Sequence, residues 1–300
     1  MTDNFHMSPE EFRERGHEMV DWVADYLGEV ANYPVSSRVK PGSIRGSLPA
    51  MAPDDPEPFE AVMRDLNEII MPGVTHWQSP NWFAYFPANS SGPSLLGEMA
   101  AAGLGVQGML WSTSPAATEL EMVVVDWMAD LLGLPSSWKT TGPGGGVIQM
   151  SASDSAHVAL VTARERSPHP VDKLVAYASD QTHSSVEKGA RIAGYPQVRV
   201  IPTDAEYAME TSALEAAIAA DRDAGLVPAF VAATVGTTAT TAVDPVRRIA
   251  EIANREGMWC HVDAAYAGSA MICPEFRHHH DGLELVDSYT FNPHKWMFTN

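Results

Sequence analysis

The chain has 300 residues, 45% of them hydrophobic and 19% charged, enough to bury a sizeable core and unlike a disordered segment. A net charge of −19 argues against nucleic-acid binding and against docking on anionic membranes, since both need clustered Lys and Arg. No apolar run approaches the ~20 residues of a membrane helix, MTDNFHMSPEEF lacks the parts of a signal peptide, and Cys260 and Cys273 form no CxxC pair, so a cytoplasmic protein without disulfides is expected.

Ser8-Pro9-Glu10-Glu11 reads as a helix start, and Phe12, Met19, Val23, Tyr26 and Val30 recur behind it at helical spacing. PAMAPDDPEP (49–58) reads as an extended connection, followed by a helix over FEAVMRDLNEII that ends before Pro72-Gly73. TSPAATELEMVVVDWMADLLGLP (113–135) is a helix with Ser114 as cap and Gly133 with Pro135 as stop. From there short β runs alternate with helices: VIQ (147–149), LVAYAS (174–179), VRVIP (198–202), FVAATVG (230–236), MWCHVD (258–263) and SYTF (288–291). The alternation predicts an α/β fold with a mostly parallel sheet, and runs apolar throughout predict strands buried on both faces.

In such sheets ligands bind beyond the carboxyl ends of the strands. Five of the predicted turns there carry reactive groups: Ser151 to Asp154, Asp180 to His183, Gly236 to Thr238, Asp263 to Tyr266, and Asn292 to Lys295. A capping box is expected at Ser184 with Glu187. A helix beginning at Ser153 offers free N–H groups and a positive dipole end to a phosphate. A lysine near a cofactor carbonyl forms an imine once its amine gives up a proton, which desolvation favours. A buried carboxylate calls for a cationic partner. Phosphate, pyridinium and imine carbon together describe pyridoxal phosphate. Each residue alone has a plainer reading, as an edge histidine, a loop cap or a surface lysine; their joint placement after strands favours the cofactor site.

HVDAAYAGSAMICPEFRH (261–278) and FNPHKW (291–296) resemble the signature of the group II pyridoxal-phosphate-dependent decarboxylases, in the aromatic-L-amino-acid decarboxylase branch. THWQSPNWFAYFPA, TSPAATELE, GGGVIQMSAS and DQTHSSVEK match the same family in the same order. The resemblance implies an aminotransferase-like (fold type I) large domain over 86–300, preceded by an N-terminal helical dimerisation arm over 1–85. It implies that Lys295 links to the cofactor, that Asp263 pairs with the pyridinium nitrogen, and that His183 and Ala265 pack on opposite ring faces. Ala152, Ser153 and Asn292 match phosphate contacts, Thr238 lies close to the cofactor, and His294 lies near phosphate and substrate. Trp77, Tyr85, Phe86 and Pro87 match an aromatic-lined substrate pocket. A homodimer that decarboxylates aromatic L-amino acids such as tryptophan, tyrosine, phenylalanine or dopa is the expectation.

The pattern also departs from the family at Ala117, Met150 and Met109, the last, with Gln107, in a region expected to approach a partner's active site. Family members continue beyond the lysine through a catalytic loop and a small C-terminal domain, which are absent from this sequence. The alternatives are therefore an aldehyde synthase or a histidine decarboxylase of the same family, or a truncated, non-catalytic chain that binds the cofactor. His278-His279-His280 lacks the spaced partners of a metal site, and none is expected.

Overall fold

The computed structural model describes residues 6–86 and 89–300, and the chain forms two compact units, residues 1–88 and 89–300. In the first, helix α1 (Pro9–Glu29) starts where the Ser8 hydroxyl accepts the Glu11 N–H at 3.1 Å. Two short helices follow, α2 (Ser43–Ser47) and α3 (Phe59–Asp65). The single helix expected over 59–70 is shorter: after Asp65 the coil widens to a π turn over Leu66–Ile70, and Met71–Gly73 closes it. Tyr26, Tyr33 and His76 form an aromatic cluster in this unit, with the Tyr26 hydroxyl 2.9 Å from His76 Nδ1.

The second unit opens with α4 (Gly92–Leu104) and α5 (Pro115–Leu132). Ser114 caps α5, and Gly133 ends it at φ +69, where a Cβ would meet the Arg277 guanidinium at 3.0 Å. Helices and strands then alternate: α6 (Ala152–Arg166), β1 (Leu174–Ser179), α7 (Ser184–Ile192), β2 (Gln197–Ile201), α8 (Thr211–Asp223) and β3 (Val227–Thr234). The series closes with α9 (Val246–Glu256), β4 (Trp259–Ala264), β5 (Ser288–Phe291) and the single turn α10 (Pro293–Trp296). The strands form one parallel sheet in the order β2-β1-β3-β4-β5.

Alternation along β3 builds two cores. Phe230 and Ala232 pack with Leu160 and Val186 on the face covered by α6 and α7. Val231 and Ala233 pack with Leu214 and Ile249 on the face covered by α8 and α9. Every residue of β1 is buried, so its sequence shows no polar alternation.

Three local expectations are corrected. Residues 147–149 form no strand: no neighbour among the described residues pairs with them, and the Ile148 N–H instead donates to Glu121 Oε1 at 2.7 Å. Helix α6 begins one residue early, capped by Ser151, whose hydroxyl accepts the Asp154 N–H at 3.1 Å. Helix α7 is capped by His183 itself, with Ser184 already in its first turn. Among the described residues, no helix is long and apolar enough to cross a membrane.

Burial also predicts how stability follows pH. Burial pulls the His280 imidazole down to about 4 and lowers that of His261 as well. Unfolded histidines take up protons near 6.5, so between that pH and about 4 the unfolded state binds more protons, and stability falls as pH falls. Asp244 opposes this, because burial raises its carboxyl to about 6 and the folded state then binds the extra proton first. His76 and His279 are lowered too and Asp287 is raised like Asp244, so with four imidazoles against two carboxyls denaturant melts should show lower stability at pH 4.5 than at pH 7. A His280→Asn variant should flatten that slope.

Candidate active site

The carboxyl ends of the five parallel strands lie on one edge of the sheet, and the turns that leave them carry the polar residues. Thr234 closes β3 beside Asp263 of β4, which is level with Thr290 of β5. A cavity of about 210 Å³ opens at this edge. It is lined by all eight of the residues expected at the cofactor: Ala152 and Ser153, His183, Thr238, Asp263 and Ala265, and Asn292 and Lys295.

At one wall stands the first turn of α6. Its leading N–H groups, at Ala152 and Ser153, have no intrahelical acceptor, and the helix dipole adds positive potential there. The β1–α7 turn supplies His183, whose Nδ1 accepts the Ser185 N–H at 3.2 Å and lies 2.8 Å from the Ser185 hydroxyl. A nitrogen that accepts a backbone N–H carries no proton, so the imidazole proton sits on Nε2.

Asp263 is 7% exposed, and its Oδ1 accepts the Ala265 N–H at 3.1 Å. Lys295 lies in the turn of α10, which exists because Asn292-Pro293 starts it: the Asn292 side chain accepts the His294 N–H at 3.0 Å, and proline occupies the first helical position. Burial lowers the Lys295 pKa, while the charge of Asp263 works in the other direction. The lowered value favours a neutral, nucleophilic amine.

The loop leaving β3 is tightly braced. Gly236 adopts φ +86, and a Cβ there would fall 2.7 Å from that of Ala267, so the position admits only glycine. Thr237 is fully buried, its hydroxyl accepting the Ala242 N–H at 3.0 Å, and Thr241 is held at φ +61, a strained region for a β-branched residue. Asp244 anchors the far end, its two oxygens accepting the Met209 N–H at 2.7 Å and the Thr234 N–H at 2.8 Å.

Not every expected residue lines this cavity. His294 does not: its Nδ1 donates to the Thr299 carbonyl at 2.8 Å, which turns the ring toward the chain that follows. Trp77, Tyr85 and Phe86 belong to the first unit, where Trp77 stacks on Trp82 and Tyr85, with ring centroids 4.4 and 6.1 Å apart. Pro87 lies outside the described residues. Conversely, Ser151, Gly236 and Tyr266, which stand in the expected turns, line the cavity too, and Ser185 and Thr234 line it without having been singled out. Neither of these two left a signal of its own: Ser185 lies in the first turn of α7, and Thr234 is the last residue of an apolar strand. Among the described residues, no group of three His, Cys, Asp or Glu side chains could hold a metal ion.

The donor set suits pyridoxal phosphate: a helix N-terminus with hydroxyl and amide groups for a phosphate, a buried carboxylate for a ring nitrogen, and an amine for an aldehyde carbon. The pyridoxal-dependent decarboxylase conserved domain matches residues 41–300. The chain belongs to the pyridoxal-dependent decarboxylase family. Similar members include phenylacetaldehyde synthase of Arabidopsis thaliana, 52% identical across 98% of this chain and 62% of that protein. Tyrosine decarboxylase 2 of Narcissus pseudonarcissus is 50% identical across 98% and 61%. Among solved decarboxylases of the family, the Catharanthus roseus tryptophan decarboxylase in complex with L-tryptophan superposes with a TM-score of 0.96 at 48% identity, over 99% of this chain and 65% of that one. The chain thus spans about three fifths of the length of the relatives it matches. Its α/β architecture with a parallel sheet is that of the family.

Proposed function

We propose that the protein decarboxylates aromatic L-amino acids to the corresponding amines, with pyridoxal phosphate as cofactor. The observation that carries this reading is the lining of one cavity by Asp263, Lys295 and the first turn of α6, in a family whose similar members bear the names of tyrosine and tryptophan decarboxylases. Ala152, Ser153 and Asn292 would hold the phosphate, His183 and Ala265 the two ring faces, with Thr238 at the rim. When bound, the cofactor supplies an electron-accepting ring for the pair left on the α-carbon as CO2 departs. Asp263 keeps a proton on the ring nitrogen, because its buried charge is costly without a cationic partner. Lys295 would hold the cofactor through its aldehyde carbon, a bond for which its lowered pKa prepares the amine. The Nε2–H of His183 gives the cavity a fixed donor. By family resemblance alone, His294 would act beside Lys295, and Trp77, Tyr85, Phe86 and Pro87 would favour an aromatic side chain in the substrate.

A second reading, an aromatic aldehyde synthase, is favoured by the 52% identity to phenylacetaldehyde synthase. Incubation of the intact protein with cofactor and each of L-tryptophan, L-tyrosine, L-phenylalanine and L-dopa tests both. Amine and CO2 alone support decarboxylation. Aldehyde, ammonia and peroxide with consumption of O2 support the synthase, and no product from any of the four rejects both.

The reading extends to a cytoplasmic homodimer, with 1–85 as dimerisation arm and 86–300 as cofactor-binding domain. The exposed apolar residues of α4 and α5, among them Leu96, Leu104, Leu120 and Trp127, support a partner surface, and two free cysteines agree with a reducing compartment.

A further inference from the structure

We infer that Asn89 is a positioning residue for Lys295, an inference that rests on the cofactor-linking role proposed for that lysine. Asn89 Nδ2 donates to the Lys295 carbonyl at 2.7 Å, and the Asn89 N–H donates to the His294 carbonyl at 3.4 Å. Two residues on, the Ser91 hydroxyl donates to the Phe298 carbonyl at 3.0 Å. The segment that leads into α4 therefore runs alongside the lysine turn, clipping it at the carbonyls of His294 and Lys295, while the Ser91 bond falls on the chain beyond that turn.

The clip matters because α10 is one turn long. A helix of four residues has no internal ladder to hold its shape, and its last carbonyls lack intrahelical donors. Its ends are secured by the Asn292 side chain at the start and by the Met297 N–H to the Pro293 carbonyl at 2.9 Å. Between them, the carbonyls of His294 and Lys295 are met from outside, by Asn89. An amine on a four-carbon stem reaches its target reproducibly only if the backbone beneath it is fixed, and a misplacement of about 1 Å costs on the order of a hundredfold in rate. No spacing rule points to Asn89, which lies 206 residues from its partner.

The test is Asn89→Asp, which keeps shape but turns a donor into an acceptor facing the carbonyl, alongside Asn89→Ala, which adds no charge. In the intact protein with pyridoxal phosphate, borohydride reduction and peptide mass analysis give the fraction of bound cofactor trapped on Lys295, and total bound cofactor is measured in parallel. Both variants should keep the cofactor while the trapped fraction and kcat fall by about tenfold, the effect of one lost bond to a partly buried carbonyl, with KM little changed. Ser91→Ala should leave the trapped fraction near the parental value. A parental trapped fraction in either Asn89 variant overturns the inference, and the alanine variant decides should the aspartate variant not fold. If the unsubstituted protein traps its cofactor elsewhere or not at all, it is the role of Lys295 that fails, a separate outcome.

Discussion

Lys295→Ala is expected to abolish turnover and the covalent attachment of cofactor. Removing a group that bonds covalently to the reacting centre costs on the order of a millionfold in kcat in well-studied enzymes, and among the described residues no other lysine lines this cavity. The variant should nevertheless fold. Burial disfavours the ammonium form of Lys295, so the native amine costs stability, and the melting temperature of the cofactor-free variant should equal or exceed that of the parent. Borohydride reduction followed by mass analysis checks the link, and calorimetry checks the fold. Retained turnover with a reducible link at another residue would remove Lys295 from the site.

Asp263→Ala is expected to bind cofactor more weakly and to lose about 10²- to 10³-fold in kcat at saturating cofactor, or about 3–4 kcal/mol, the usual size of one preorganised electrostatic contact with developing charge. A second effect carries a sign. Asp263 raises the Lys295 pKa while burial lowers it, so with the carboxylate gone burial acts alone and the amine should lose its proton at lower pH. The acid limb of the pH–rate profile, where activity rises as the amine loses its proton, or a direct titration of the amine, should shift down accordingly. An unchanged kcat, or a shift upward, would show that Asp263 does not face the reacting ring.

Much of the fold was legible because the strands are short and apolar with helices between them. LVAYAS and SYTF coincide with β1 and β5 residue for residue, and β3 and β4 fall within three residues of their expected limits. Local hydrogen-bond chemistry was read less well: the caps of α6 and α7 are Ser151 and His183, since which of several adjacent polar side chains reaches a free N–H depends on backbone angles that composition does not encode. The strand expected at 147–149 shows the other limit. An apolar triplet becomes a strand only when a neighbour offers a ladder, and none of the described residues does.

Sequence alone determined which residues belong together chemically: a lysine, a carboxylate, an imidazole and a helix start each follow an apolar run, and parallel strands must deliver such residues to one edge. Only the tertiary structure decided how each group is held. The proton of His183 is assigned by the amide of Ser185, the β3 loop is pinned by Asp244 to an amide 35 residues away, and the lysine turn is clipped by Asn89. These contacts join atoms distant along the chain, whose meeting depends on how the sheet and its covering helices pack, and packing leaves no periodic trace in the residues it brings together.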